Sequence, residues 1–221
     1  MKYGLDGLDF LEFKFSDNVL SDDKTDKEKT ALQTRELVDL ESLNEESVVL
    51  DVGSNFGIVV DELQQCGCKI YSFEPHPIFF SMLKERYADN ENVVLSDSAV
   101  WNKTEKKKFY FKRSFERLNG GATLMSKKTN ILDENLNKEV QCVDILEVVE
   151  SINSDIDVLK MDVEGAEYEI LERLLSSDAI KKIKSIYFED HSRKFVDREW
   201  HTKKEEVLQS YKSRGIPLNW W

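Results

Sequence analysis

A chain of 221 residues and 25.7 kDa, 40% hydrophobic and 33% charged, suits one domain with ample core, and it carries no repeat or low-complexity run. Its 43 acidic residues outnumber 31 basic ones, and the net charge of −12 disfavours nucleic acid and anionic membrane as partners. No apolar run reaches the ~18 residues of a membrane span, Met1 to Asp6 has no leader-like apolar stretch, and Cys66, Cys68 and Cys142 lack metal-finger spacing, so a reduced, soluble, cytoplasmic protein is expected. Cys66 and Cys68 stand too close in sequence for an easy bridge.

Residues 1–45 read as an N-terminal helical or lid segment ahead of a core over 46–221. Leu8, Phe10, Leu11, Phe13 and Phe15 suggest a strand or hairpin against the core, or a lid. A helix is expected from Thr25 or Asp26 to about Asp39, with Leu32, Leu37, Val38 and Leu40 as its apolar side.

The apolar run Val48-Val49-Leu50 then stops at Asp51, and Val52-Gly53-Ser54-Asn55-Phe56-Gly57 leads into an amphipathic stretch, Ile58 to Gln65. That is strand, tight loop, helix, the way α/β proteins approach a nucleotide-like ligand. The dinucleotide pattern G-x-G-x-x-G fails twice, at Asn55 and Ile58, which argues against an NAD-dependent oxidoreductase. An acid two residues before the first glycine suits a ligand with an ammonium group, and S-adenosylmethionine has one and carries no phosphate. A second strand, Lys69 to Phe73, ends at Glu74-Pro75; Glu74 lies 17 residues past Gly57, where a carboxylate can accept from two ribose hydroxyls.

Further on, Pro77 opens a helix through Tyr87, Asn92 to Leu95 is a short strand, and Ser96-Asp97-Ser98 follows it. Lys103 to Lys108 reads as a solvated hairpin, Lys108 to Phe111 as an extra strand, and Arg113 to Met125 as a mobile loop. A strand over Glu139 to Val143 precedes a short helix, Asp144 to Val149. The strand Asp157 to Met161 ends at Asp162, with a helix to Leu175; the strand Ile183 to Phe188 ends at Glu189-Asp190-His191, and a last helix spans Lys203 to Ser213. Strands alternating with helices imply a mostly parallel sheet with helices on both faces, and ligands at the carboxyl ends of its strands. Lys160 is unusual in a buried strand and is expected to pair with a carboxylate. His76 and His201 read as surface residues, and Trp200, Trp220 and Trp221 as core or terminal anchors rather than sugar platforms.

The runs Val48 to Gly57, Phe73-Glu74-Pro75 and Leu159-Lys160-Met161-Asp162-Val163-Glu164-Gly165-Ala166-Glu167 resemble the FkbM family of S-adenosylmethionine-dependent methyltransferases. The Lys-x-Asp-x-Glu-Gly-x-Glu run is the most specific piece, and the likeness covers about residues 46–191. It implies an α/β, Rossmann-like, seven-stranded methyltransferase sheet and O-methylation of a sugar, glycan or small natural product. It further implies a cofactor loop of Asp51, Gly53, Ser54, Asn55 and Gly57, with Glu74 and Pro75 at the ribose, Asp97 and Ser98 near the adenine, and Asp162 near the sulfonium. An alcohol acceptor needs its proton removed or its charge stabilised. Two arrangements stay open: Asp162 or His191 takes the proton, or Asp162, Glu189 and Asp190 hold a divalent cation such as Mg²⁺. A silent binding domain has no chemical need for Asp51, Glu74 and Asp162 together, and the Asn-Pro-Pro-Tyr-type motif of base methylation is missing after Met161. Oligomeric state is not legible here.

Overall fold

The computed structural model describes residues 20–111, 121–129, 131 and 133–221. The readings made on residues 1–19 and on most of the loop after Phe111 lie outside the described residues. The strands run in chain order β1 (Val48–Val52), β2 (Lys69–Phe73), β3 (Val93–Ser96), β4 (Ala99–Trp101), β5 (Glu105–Tyr110), β6 (Asn137–Asp144), β7 (Ile156–Met161), β8 (Ile183–Phe188) and β9 (Asn219–Trp220). The helices are α1 (Leu20–Leu37), α2 (Ile58–Leu63), α3 (Pro77–Arg86), α4 (Ile145–Ser151), α5 (Glu167–Leu175) and α6 (Arg198–Ser213). None of them is long and apolar enough to cross a membrane.

The main sheet has the order β3-β2-β1-β7-β8-β9, with every pairing parallel. Among the described residues it holds six strands, where seven were expected. The chain leaving β3 forms β4, which pairs with β6 in a second sheet of order β4-β6-β5 instead of joining the first. The stretch read as a solvated hairpin is thus mostly β5, which buries Phe109 and leaves Lys106 and Lys108 exposed, and Lys107 lies over the Trp101 ring at 4.4 Å.

β1 is buried along its whole length, as a strand covered on both faces must be. Its alternating side chains feed two cores. Val48, Leu50 and Val52 join α4, α5, α6 and the small sheet in one cluster. Val49 joins Val59, Val60, Leu63, Leu83 and Tyr87 of the α2–α3 side in the other. Of the apolar side expected for α1, Val38 is buried and Leu40 packs against that second cluster, but Leu32 is 55% exposed and Leu37 is exposed too. α1 is held instead by Arg35, which grips the Glu62 carboxylate of α2 at 2.5 and 2.9 Å. α6 begins five residues earlier than expected because the Asp197 side chain accepts from the Glu199 N–H at 3.0 Å and caps it. Trp200 is buried and stacks on Phe195 with centroids 4.6 Å apart, whereas Trp220, on the edge strand beside Phe188, is half-exposed.

Candidate active site

The carboxyl ends of β1, β2 and β7 open on a cleft lined among others by Gly53, Asn55, Glu74, His76, Asp162 and Glu164. β1 turns over Gly53, whose φ is +83°; a Cβ there would stand 2.0 Å from the Asp162 carbonyl oxygen. Gly53 is therefore required by the crossing of two strand ends as well as by its positive φ. Gly57, at φ +80°, is likewise closed in by Leu83 and Tyr87, and it does not line the cleft. Ser54 is buried, its Oγ 2.6 Å from Ser72 Oγ.

Glu74 knits the loop together. Its Oε2 accepts from the Asn55 N–H at 2.7 Å and its Oε1 from the His76 N–H at 2.8 Å. Each carboxylate oxygen keeps a second lone pair for a ligand hydroxyl. Burial pushes its pKa up to about 7 against these two bonds, with the Asp51 charge adding to the rise. Among the described residues, two non-glycine residues sit in the left-handed region, Asn55 at φ 51° and Glu164 at φ 55°, and both line the cleft. Strain of this kind concentrates at ligand sites. The Asn55 Oδ1 is buried with no hydrogen-bond partner.

Asp51 does not face the cleft. Strand alternation sends its side chain to the α2–α3 side, where its register partner on β7 is Lys160. The two form a buried ion pair at 3.3 Å, and Lys160 Nζ also donates to the Gly53 carbonyl at 3.1 Å. Neither Asp51 oxygen has a well-aligned hydrogen bond. Lys160 thus takes the place opposite Asp51 that the sequence reading gave to a ligand ammonium. Burial opposes its charge, but Asp51 and Asp162 hold its pKa above the ordinary lysine value.

Asp97 is exposed and Ser98 half-buried; neither lines the cleft, whose wall beyond β3 is Ala99 and Val100. The adenine placement implied for them is therefore not built, because β4 turns away into the second sheet. Pro75 does line the cleft.

Beside Asp162 a titratable group assembles around His191, which is 1% exposed. Its Nδ1 lies 2.8 Å from Oε1 of the fully buried Glu167, which also accepts from the Val163 and Gly165 N–H groups at 3.2 Å. Its Nε2 faces Glu164 at 3.3 Å, Glu189 at 3.5 Å and Asp162 at 3.7 Å. Burial disfavours the imidazolium, but the Glu167 hydrogen bond and the charges of Glu167, Glu164 and Asp162 raise the His191 pKa above its usual value. Burial also raises the Glu189 pKa, with Asp162 adding to it. Glu164 accepts from Lys128 and, at 2.7 Å, from Lys194; against burial, the His191 charge and these lysines bring its pKa down to about 2.

The proposed cation set Asp162, Glu189 and Asp190 is not brought together. Asp190 points away, engaged by Tyr168 at 3.0 Å, Ser192 at 2.8 Å and Lys204 at 2.6 Å. Among the described residues, the donor atoms that do converge belong to Asp162, Glu164 and His191. Glu164 and Glu167 were given no role of their own by the sequence reading, and His76 is no surface residue: it lines the cleft and stacks on Phe79. For the two glutamates the signal was present in the Lys-x-Asp-x-Glu-Gly-x-Glu spacing.

The model of the methyltransferase FkbM domain matches residues 51–215, a span that includes every cleft and His191-cluster residue named above. Over 59 residues the chain is 35% identical to "Probable ribosomal RNA small subunit methyltransferase A" of Methanococcoides burtonii, covering 27% of this chain and 22% of that protein. Among solved structures, methyltransferase FkbM from Methylobacillus flagellatus KT aligns at 14% identity and TM-score 0.45, over 84% of this chain and 44% of that one. Precorrin-6y C5,15-methyltransferase from Geobacter metallireducens GS-15 aligns at 15% identity and TM-score 0.42, over 84% of this chain and 70% of that one. The chain thus spans less than half the length of the curated relative and of the first of these structures.

Proposed function

The chain belongs to the methyltransferase FkbM domain family, and from that premise we propose that it moves the methyl group of S-adenosylmethionine onto a hydroxyl oxygen of a sugar, glycan or other small polyol. Glu74 takes the ribose hydroxyls, and Asn55 Oδ1, an orphaned acceptor on the loop, takes the ammonium of the methionyl end. Asp162 stands at the sulfonium. The observation that carries the hydroxyl acceptor is the Glu167–His191 pair: Glu167 holds Nδ1 and leaves Nε2 beside Asp162. In the reaction the sulfur–methyl bond breaks as the oxygen–methyl bond forms. The hydroxyl proton passes to His191 Nε2, and the sulfonium becomes a neutral thioether. In-line positioning by the cleft supplies much of the acceleration.

A divalent cation is not required in this reading, because Lys128 and Lys194 already meet the Glu164 charge. The acidic balance of the chain and the carboxylates around Nε2 speak for an uncharged acceptor over a phosphate-bearing one. The test is transfer of labelled methyl from S-adenosylmethionine to a panel of sugars, with and without excess EDTA. His191→Gln is expected to lower kcat by about 10²–10⁴-fold with S-adenosylhomocysteine binding unchanged. Glu167→Gln should shift the rising limb of the kcat–pH profile to lower pH, since it removes the charge that raises the His191 pKa. Undiminished transfer by His191→Gln, or activity abolished by EDTA, sinks the base assignment.

A further inference from the structure

We propose that His76 reads the base of the cofactor, its Nδ1 hydrogen-bonding the Watson–Crick edge of the adenine. The inference rests on the cofactor reading above. If Glu74 holds the ribose, the base on C1′ of that ribose lies within one glycosidic bond of it. Two cleft residues are tied to Glu74: Asn55 on the glycine loop and His76, whose backbone N–H donates to Glu74 Oε1 at 2.8 Å and which lines the cleft beside the apolar wall.

The surroundings fit a flat heterocycle. The His76 ring stacks on Phe79 with centroids 4.3 Å apart and interplanar angle 26°, and Phe111 meets it edge-on at 5.1 Å. Ala99, Val100, Phe109 and Leu124 complete an apolar wall. Within it His76 Nδ1 is buried and has no hydrogen-bond partner. A buried orphan nitrogen costs free energy unless a ligand satisfies it. Burial brings the His76 pKa down to about 4, so the ring is neutral near pH 7. Asp97 lies off the cleft and exposed, which leaves His76 as the polar side chain on this wall among the described residues.

Either neutral tautomer discriminates. An unprotonated Nδ1 accepts from the adenine 6-amino group, and a protonated one donates to N1. The 6-oxo base hypoxanthine reverses the polarity of both positions. Calorimetric titration of S-adenosylhomocysteine and of its inosine counterpart into wild-type protein should give at least about a tenfold preference for the adenosyl compound, the size of one buried hydrogen bond. His76→Phe keeps the stacking surface, and its preference should fall to within about twofold. The ring nitrogen can also be followed in wild-type protein: the ¹⁵N resonance of Nδ1 should move on adding S-adenosylhomocysteine. A tenfold preference that survives in His76→Phe, equal wild-type affinity for both compounds, or an unmoved Nδ1 resonance overturns the His76 assignment alone. Wild-type protein that binds neither compound overturns the cofactor reading and this inference with it.

Discussion

Glu74 shows how one carboxyl ties local structure to ligand chemistry. Burial holds its pKa near 7 in the free protein, with the backbone N–H groups of His76 and Asn55 limiting the rise. A ribose hydroxyl donated to it favours the ionised form, so binding near neutrality expels a proton. The affinity for S-adenosylhomocysteine should therefore climb as pH rises from 6 toward 7.5 and then level off, and calorimetry in two buffers of different ionisation enthalpy should detect the released proton. Glu74→Gln should bind weakly with no such slope. A wild-type affinity flat across this range contradicts the role given to Glu74. The companion residue His191 was legible as a candidate, but its partner was not. Glu167 lies 24 residues earlier, and only the approach of the β8 end to the start of α5 puts its carboxylate on Nδ1.

Among the elements, the β1–β7 seam decides where the glycine loop sits. Asp51 and Lys160 are register partners on the two strands, buried against each other, and Lys160 reaches on to the Gly53 carbonyl. Removing one member of such a pair strands a charge in the core and costs roughly 3–5 kcal/mol, whereas replacing both with apolar groups is often neutral. Lys160→Met should therefore lower the denaturant midpoint sharply, and Asp51→Leu with Lys160→Met should recover most of the loss. The double variant should still bind S-adenosylhomocysteine, since neither side chain lines the cleft. If Lys160→Met is as stable as wild type, the pair is not the clamp described. The sequence marked Lys160 as a buried cation seeking a carboxylate. The choice of Asp51 needed the register of two strands 109 residues apart at Asp51 and Lys160.

On the scale of the molecule, the buried groups make folding pH-dependent in two directions. The Glu164 and Asp190 pKa values are depressed, so their contribution is present above the usual carboxylate range and is lost as pH falls through their folded values, near 2 for Glu164. The His191 pKa is raised, so its contribution is fully present below its ordinary 6.5 and is lost as pH rises through the folded value. Glu74 adds the same sign: between its ordinary 4.5 and about 7 the folded chain holds the extra proton, and stability falls across that window. The melting temperature should therefore peak at the acid edge of that window, about pH 4.5 to 5.5, and His191→Gln should flatten the decline on the alkaline side. A melting temperature still rising from pH 7 to 9 would contradict this balance.

The sequence by itself determined the alternation of strands and helices, the parallel sheet, and the positions of Gly53, Asn55, Glu74 and Asp162 at its carboxyl edge. Those follow from periodicity and from motif spacing within one strand–loop–helix unit, and both are local properties of the chain. The tertiary structure decided which way the side chains at that edge face. It turned Asp51 toward Lys160, carried Ala99–Trp101 into a second sheet and left Asp97 outside the cleft, and brought Glu167 to His191 and Asp190 to Lys204. These outcomes depend on register and on packing between segments far apart in the chain. A one-residue change in register exchanges cleft for core, and no local pattern records it.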